Sequence, residues 1–329
     1  AVEHSPKGEL IGRRLCEHAH RLDPSRPCTY GSSSGRDPNY AVDVFGFNYI
    51  VQNPVEELHS RFPGKSAVGT EETSGAGTRG SYLTDAQSAS MLPLNRTDTA
   101  GVVNCIARGW KFYKENSWTA GLFYWTGFDY RGESNPMVWP ATGSQFGILD
   151  YCGFAKDEAY YLKSWWGDEP VLHISPHWNL EGHEGQTVKL KVYSNCDEVQ
   201  LVVNGKKLER KKMPKNGHLE WDAVYKPGYV QAIGYKNGKV LMKKRINTAG
   251  EPSQVKSETL KYDDIYVVNV SVYDNKGNFA PKACIPLTVE IEGNARILGF
   301  GNGNPDFMEV ERPEDPQARS FGFRTFNGM

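Results

Sequence analysis

The chain has 329 residues, more than one compact domain usually contains, so its length predicts two or three folding units. Its 39% hydrophobic residues can fill sizeable cores, yet no apolar run reaches the roughly 18 residues that a membrane helix needs. The 38 basic and 39 acidic side chains leave a net charge of -1, which excludes a long-range field for attracting nucleic acid or an anionic membrane. We therefore expect a globular protein with neither of those partners.

The first 130 residues predict strands that alternate with helices. Apolar residues recur at helical spacing from Ser5 to Leu22, and Pro24 ends this helix. A second helix is predicted from Gly101 to Tyr113. Short buried strands are predicted at Pro27 to Tyr30, Val42 to Tyr49, Ser66 to Thr70 and Ala120 to Trp125. Such alternation implies a parallel sheet, either an open doubly wound sheet or part of a (β/α)8 barrel.

The residues after Trp166 predict antiparallel strands instead. Apolar and polar residues alternate in three runs, Val188 to Val192, Val199 to Val203 and Val230 to Gly234. Such alternation is typical of strands with one solvated face, and Asn204-Gly205 and Asn237-Gly238 are type I′ hairpin signals. Residues 170 to 248 therefore predict an immunoglobulin-like sandwich, and residues 250 to 329 the beginning of a second, incomplete one.

Two adjacent carboxylates, Glu71 and Glu72, directly follow one predicted buried strand. In parallel α/β folds the ends of strands hold catalytic groups, so either carboxylate is a candidate. An acid pair at the start of a helix, stabilised by the helix dipole, explains the pattern about equally well. Spacing alone leaves both interpretations open.

Aromatic and amide side chains lie near the ends of two other predicted strands. Trp125 ends one strand and is followed by Asp129, while Asn48 and Tyr49 would place an amide and a phenol at the same edge of the sheet. Clustered aromatics can form a floor on which a sugar ring stacks, although core packing is their more frequent use. The group is therefore a candidate carbohydrate site.

The six cysteines and eight histidines show no strong metal-binding motif. Neither CxxC nor HExxH occurs, so the cysteines are interpreted as isolated buried thiols. No P-loop follows a predicted strand either. The sequence predicts no metal and no cofactor.

Several short motifs occur in a characteristic order along the chain. The first are Asp43 to Tyr49, Gly69-Thr70-Glu71, Thr78 to Tyr82, Gly121 to Tyr130 and Ser144 to Asp150. Val203 to Lys206, Trp221 to Gly228 and Gly299 to Asn304 follow. Together they resemble glycoside hydrolase family 2, and most of all its β-galactosidase-like members. Each motif alone is weak, but their order and spacing extend the resemblance over essentially the whole chain.

The resemblance implies a retaining glycosidase. Glu71 matches the family nucleophile at the end of barrel strand seven, and Tyr49 matches the tyrosine that hydrogen-bonds it. Trp125 matches the tryptophan of the sugar subsite, and we assign Asn48 and Asp129 to substrate binding. We expect the Glu71 carboxylate within hydrogen-bond reach of the Tyr49 hydroxyl, whereas Glu72 has no counterpart in the family.

The implied fold is the C-terminal half of a (β/α)8 TIM barrel over residues 1–168. An immunoglobulin-like β-sandwich is expected over residues 169–249 and a truncated second one over residues 250–329. A retaining enzyme also needs a second carboxylate, about 5 Å from the nucleophile, to protonate the leaving oxygen. The family carries it in a Gly-Asn-Glu motif, which this sequence lacks. We therefore expect the acid/base upstream of Ala1, and an inactive fragment.

The expected partner is an oligosaccharide or glycan that is cleaved at a terminal, non-reducing β-linked galactose. A β-glucuronidase of this family would be expected to carry an Asn-x-Lys pair after strand eight, and none occurs between Asp129 and Tyr161; β-mannosidase stays open. A non-catalytic carbohydrate-binding or adhesive module is the alternative from another class. Glu71 distinguishes the two, because a binding module needs no carboxylate held by Tyr49. The sequence leaves the oligomeric state and the compartment open.

Overall fold

The computed structural model describes residues 5–33, 37–72, 77–82, 91–94, 106–135 and 137–329. They form two compact units, the first Ala1–Ala76 with Thr97–Gly127 and the second Gly77–Arg96 with Phe128–Met329. Residues 128–168 thus group with the later strands, although the predicted barrel domain, residues 1–168, includes them. Those predicted domain boundaries stay a prediction. None of the described helices is long and apolar enough to cross a membrane.

The helices among the described residues are few, and all but α1 have ten residues or fewer. They are α1 (Pro6–Leu22), α2 (Asp37–Ala41), α3 (Val55–Arg61), α4 (Ile106–Glu115) and α5 (Asp157–Trp166), with a 3-10 helix at Ile50–Gln52. The first predicted helix is confirmed. Of the second, α4 covers the described part, while residues 101–105, with Cys105, lie outside the described residues.

Strands make up most of the regular structure. In the first unit they are β1 (Phe45–Asn48), β2 (Ala67–Glu72) and β3 (Thr119–Tyr124). In the second unit they are β4 (Tyr130–Arg131), β5 (Gly143–Ser144), β6 (Leu172–Ser175), β7 (Thr187–Ser194), β8 (Glu198–Val203), β9 (Lys206–Lys212), β10 (Leu219–Val224), β11 (Tyr229–Lys236), β12 (Lys239–Asn247), β13 (Pro252–Tyr262), β14 (Ile265–Asp274), β15 (Pro286–Glu290) and β16 (Ser320–Arg324).

The first unit contains a parallel sheet in the order β1-β2-β3, which confirms three predicted strands. Of the fourth, Pro27 to Tyr30, only an isolated parallel bridge from Thr29 to Val44 is present, and a second bridge joins Ser32, just beyond it, to Phe47. A side chain at Gly46 would collide with Tyr30, because its Cβ atom would lie 2.1 Å from the carbonyl oxygen of that residue. Glycine therefore permits this close approach of two backbones.

Aromatic side chains from β1 form the core of the first unit. Phe45 and Phe47 are both fully buried and pack with Leu58 of α3 and Ala67 of β2. Burial of apolar strand residues beneath a helix is what a parallel sheet requires, because its crossover helices cover its faces. This packing fixes β1 and β2 beside each other, so that their carboxyl ends meet.

The second unit contains two antiparallel sheets that share one core. Their strand orders are β10-β7-β6 and β12-β11-β8-β9. Leu190 of β7, Leu201 of β8 and Trp178 are among the buried residues of this common core. The predicted alternation is confirmed in β7, where Val188, Leu190 and Val192 are buried and the lysines between them are exposed or half-buried. In β8 it holds only in the first half, because Leu201, Val202 and Val203 are all buried.

Tight turns join the hairpins of this core where the sequence predicts them. Asn204-Gly205 links β8 to β9, and Asn237-Gly238 links β11 to β12. All four residues have positive φ, as a type I′ turn requires. Farther along the chain, β13 pairs with β14 and β15 with β16 as two-stranded antiparallel sheets. A complete second sandwich there stays a prediction.

Arg79 connects distant parts of the second unit. Its guanidinium donates to Asp150 Oδ2 at 2.6 Å and to the carbonyl oxygens of Asn302, Phe326 and Asn327. Both side chains of the Arg79–Asp150 pair are buried. Buried charges require such partners, and bonds from an ionised donor are stronger than neutral ones.

Candidate active site

The carboxyl ends of β1, β2 and β3 bring most of the predicted site residues to one edge of the first unit. The backbone N–H of Tyr49, just after β1, donates to the carbonyl oxygen of Glu71 at 2.7 Å. The N–H of Trp125, just after β3, donates to the carbonyl oxygen of Glu72 at 2.9 Å. Parallel alignment explains this convergence, because parallel strands end at the same edge of a sheet.

The Glu71 carboxylate accepts hydrogen bonds from Asn48, the last residue of β1, and from Tyr49, which follows it. The Tyr49 hydroxyl donates to Oε1, as the sequence analysis expects. The amide of Asn48 donates from Nδ2 to Oε2 at 3.3 Å. These two donors hold the carboxylate in one orientation.

Thr70 orients the amide of Asn48, a function that the sequence analysis missed. Its hydroxyl donates to Asn48 Oδ1 at 2.9 Å, which leaves the NH2 group directed at Glu71. A register shift lies here, since Phe47 pairs with Gly69 but Asn48 pairs with Glu71. Thr70 is the extra residue of this bulge, and bulges commonly redirect side chains beside active sites.

Glu72 faces a different environment from Glu71. Its carboxylate is buried, with 1% relative exposure, and accepts from the Ile50 N–H at 2.9 Å and the Tyr113 hydroxyl at 3.2 Å. Burial, together with the adjacent carboxylate, raises the pKa of Tyr113, so this phenol stays a proton donor. Successive residues of a strand point to opposite faces, which separates the two adjacent glutamates. Glu72 therefore has structural partners.

Backbone strain and an accessible aromatic ring mark the same edge. Tyr49 has φ 62 and ψ 107, in a region that non-glycine residues rarely adopt. Strain of this type costs roughly 1–3 kcal/mol and is found most often at functional sites. The Trp125 side chain is 39% exposed, so part of its ring is available to a ligand.

Asp129 belongs to the second unit and lies in an internal ion pair. Its Oδ1 accepts from Lys156 Nζ at 2.6 Å and from the Gly147 N–H at 2.9 Å, and both charged side chains are buried. Burial raises the pKa of Asp129 to about 6, although Lys156 opposes this shift. These contacts give the predicted sugar contact of Asp129 no support. Lys156 is a partner that the sequence analysis did not foresee.

The interpretation of all cysteines as isolated buried thiols is wrong. Cys284 is exposed, and Cys28 and Cys152 are half-buried. Cys16 and Cys28 lie close together, because the chain turns back after α1. One sequence signal could have indicated that Cys16 and Cys28 are close. It is the one-turn spacing of Cys16 and His20 on one helix face, followed by a further cysteine.

Since the resemblance implies that Glu71 is a glycosidase nucleophile, we expect Tyr49→Phe to lower kcat/KM about 10- to 100-fold, because it removes one hydrogen bond to the carboxylate, typically about 1.5–3 kcal/mol. The test is steady-state hydrolysis of an aryl glycoside by the protein expressed from its complete reading frame. The matched control is Tyr235→Phe, which removes a hydroxyl that bonds Gln200 in the second unit. This variant should leave kcat/KM unchanged. An unchanged kcat/KM in Tyr49→Phe would contradict the assignment.

Comparison with known proteins places the chain among glycosidases. A model of the C-terminal domain 5 of glycoside hydrolase family 2 matches residues 254–324, and a domain of unknown function (DUF4982) matches residues 185–242. A β-galactosidase of Bacteroides ovatus is 34% identical over 342 residues, which covers 95% of this chain and 39% of that protein. A β-glucuronidase of Formosa agariphila is 29% identical over 181 residues, which covers 50% of this chain and 18% of that protein.

Solved structures agree with these relatives. The crystal structure of a β-glycosidase from Bacteroides vulgatus superimposes with a TM-score of 0.80 at 29% identity, covering 97% of this chain and 44% of that one. These relatives are glycosidases, enzymes that cleave glycosidic bonds. The chain belongs to glycoside hydrolase family 2 and is similar to its β-galactosidases. It spans about two fifths of the length of the Bacteroides ovatus relative.

Proposed function

We propose that this chain supplies the nucleophile of a retaining glycosidase that removes terminal β-linked galactose. The observation that carries the proposal is the Glu71 carboxylate, held at a strand end by donors from Tyr49 and Asn48. A nucleophilic carboxylate must be held in a fixed orientation, and these two contacts hold it in one. A sugar-binding module has no need of a carboxylate held in this way.

The proposed reaction has two displacements at the anomeric carbon. One Glu71 carboxylate oxygen attacks this carbon, the bond to the leaving oxygen breaks, and a general acid protonates that oxygen. Water then attacks the glycosyl ester, gives its proton to the same residue acting as base, and releases the sugar with retained configuration. Tyr49 and Asn48 hold the carboxylate through both steps, and Trp125 offers its exposed ring to the sugar.

We propose that the general acid lies outside these 329 residues. The sequence contains no Gly-Asn-Glu motif, and the relatives are more than twice as long as the stretch that this chain matches. Acid catalysis contributes about 10²- to 10⁴-fold, so these residues alone should show no appreciable turnover.

The same proposal extends to the fold. The first unit is the C-terminal half of a (β/α)8 barrel, supported by the parallel strands β1, β2 and β3 and the parallel bridges at Thr29 and Ser32. Phe123 in β3 is 69% exposed, an apolar side chain that further parts of a closed barrel would cover. The two sheets that share a core in the second unit form an immunoglobulin-like sandwich.

Galactose is the proposed sugar, because the Bacteroides ovatus β-galactosidase is 34% identical over 95% of this chain, whereas the β-glucuronidase relatives are 27% to 33% identical over 50% to 83% of it. β-Glucuronidase is the second candidate, on the strength of those alignments. The ratio of kcat/KM for an aryl β-galactoside to that for the matching β-glucuronide decides between them. A ratio below one would contradict the galactosidase proposal.

Trapping of the covalent intermediate tests the proposed nucleophile. A 2-deoxy-2-fluoro-β-galactoside with an activated leaving group should label the protein expressed from its complete reading frame, because fluorine slows hydrolysis of the ester. Intact-mass and peptide analysis should place the sugar on Glu71, and Glu71→Gln should take no label. A label on Glu72 instead, or robust turnover of aryl galactoside without any label on Glu71, would contradict the proposal.

A further inference from the structure

Four side chains with metal-ligating atoms converge in the first unit, away from the candidate active site. Cys16, His20, Cys28 and Asp43 each offer one donor atom, and these four atoms lie within 4.8 Å of one another. We propose that they form a structural binding site for zinc(II). The proposal rests on these residues alone and does not depend on the glycosidase function.

Local structure explains why these residues meet. Cys16 and His20 are one turn apart on α1, so both side chains lie on the same face of the helix. After α1 the chain turns back, and the Cys28 thiol comes to 3.9 Å from the carbonyl oxygen of Cys16. The Cys28 N–H donates to Asp43 Oδ2 at 2.7 Å, which holds this carboxylate beside the helix.

The distances within the cluster are close to those of a tetrahedral zinc site. Bonds of about 2.3 Å to sulfur and about 2.0–2.2 Å to nitrogen or oxygen place the ligands about 3.4–3.8 Å from one another. In this cluster Cys16 Sγ lies 3.7 Å from Asp43 Oδ2 and 4.0 Å from His20 Nε2. His20 Nε2 lies 2.9 Å from the same Asp43 oxygen. Small side-chain rotations would open these contacts around an ion.

The donor set selects zinc over the common hard cations. Calcium and magnesium prefer oxygen ligands, whereas two sulfurs and an imidazole favour a thiophilic ion. Four protein ligands leave no open position for water or substrate, which is the arrangement of structural zinc. A disulfide between Cys16 and Cys28 is the competing outcome, but it would make no use of His20 and Asp43, whose side chains converge on the same point.

The position of the cluster fits a structural function. Asp43 precedes β1, while Asn48 and Tyr49 lie at the other end of this strand, roughly 16 Å away at about 3.3 Å per residue. Zinc bound there would link α1 to two other segments of the chain. One contains Cys28, and the other leads into β1. Metal binding of this type contributes directly to folding free energy.

Cobalt(II) titration of the full chain, reduced and stripped of metal, tests the proposal. Thiolate ligation in a tetrahedral site should give a near-ultraviolet charge-transfer band and intense visible bands, saturating at a single equivalent and displaced by zinc. Cys28→Ser and His20→Ala should each weaken binding by at least about 100-fold, more than the typical loss from an outer partner. The matched controls are Cys284→Ser, which removes an exposed thiol, and His18→Ala, which removes an exposed histidine of α1. Both variants should bind cobalt(II) as the parent protein does.

Circular dichroism shows whether each variant folds. Asp43→Asn keeps the shape of the side chain and is therefore a milder substitution. Weakened binding by a folded Asp43→Asn or His20→Ala supports the site. Absence of the charge-transfer band in the reduced parent protein would overturn the proposal. So would a band that survives in Cys28→Ser, or a Cys16–Cys28 disulfide whose reduction yields no cobalt binding.

Discussion

Glu71→Gln should lower kcat for an aryl β-galactoside at least about 10⁴-fold while leaving the fold intact, measured in the protein expressed from its complete reading frame. An amide cannot form the glycosyl ester, and this substitution conserves the size of a half-exposed side chain. Glu72→Gln is the internal comparison. The Glu72 carboxylate is buried and bonded to the Ile50 N–H and the Tyr113 hydroxyl. Its replacement should therefore lower the free energy of unfolding more than it lowers kcat.

Azide provides a stereochemical check on this first prediction. In Glu71→Ala, azide can enter the space of the missing carboxylate and attack an activated β-galactoside directly, which should yield the inverted α-galactosyl azide. Loss of a general acid would give the β-azide instead, because azide would then replace water at the second displacement. Recovery of the β-azide, or equal losses of turnover in Glu71→Gln and Glu72→Gln, would contradict the assignment of Glu71.

Lys156→Met should lower the free energy of unfolding by about 3–5 kcal/mol near pH 8, because it leaves the Asp129 carboxylate buried without its counter-charge. The loss should shrink as the pH falls. Asp129 has a pKa of about 6 in the folded protein and 3.8 ordinarily, so the folded state takes up its proton first as the pH drops. Removal of Lys156 should raise this pKa further, and a neutral Asp129 needs no partner.

Denaturant unfolding of the full chain at pH 8 and pH 5 measures this effect. Asp129→Asn combined with Lys156→Met removes both charges and should be more stable than Lys156→Met alone at pH 8. Lys206→Met, at an exposed position, should stay within about 0.5 kcal/mol of the parent protein. A loss that is equal at both pH values, or a double variant as unstable as the single one, would show that packing of the lysine stem accounts for the effect.

Much of the fold could be predicted from local sequence. Buried apolar runs identified β1, β2 and β3, helical spacing identified α1, and Asn204-Gly205 identified a hairpin, because each depends on residues near in sequence. The contact between Tyr49 and Glu71 was expected from the family resemblance. Spacing alone did not predict it, because an acid pair at the start of a helix explained the same pattern. The structure places Glu71 and Glu72 at the end of a strand.

Contacts between distant residues explain what the sequence could not reveal. The pairing of Asp129 with Lys156 is such a contact, because Lys156 lies 27 positions later and nothing local indicates that the two are paired. The bulge at Thr70 depends on the register between two strands, which no pattern within one strand encodes. Cys16 and Cys28 are brought together by a helix end and a turn, so their spacing resembles no familiar motif.

The partners of Arg79 also set the order in which this protein can be completed during synthesis. Its guanidinium bonds the carbonyl oxygen of Asn327, 248 positions later in the chain. At about 5–20 residues per second, a ribosome needs roughly 12–50 s to cover this interval. Until then the charge has only part of its final set of partners, since the carbonyls of Phe326 and Asn327 do not yet exist. The segment around Arg79 is therefore among the first parts of the second unit to be translated and among the last to reach its native environment.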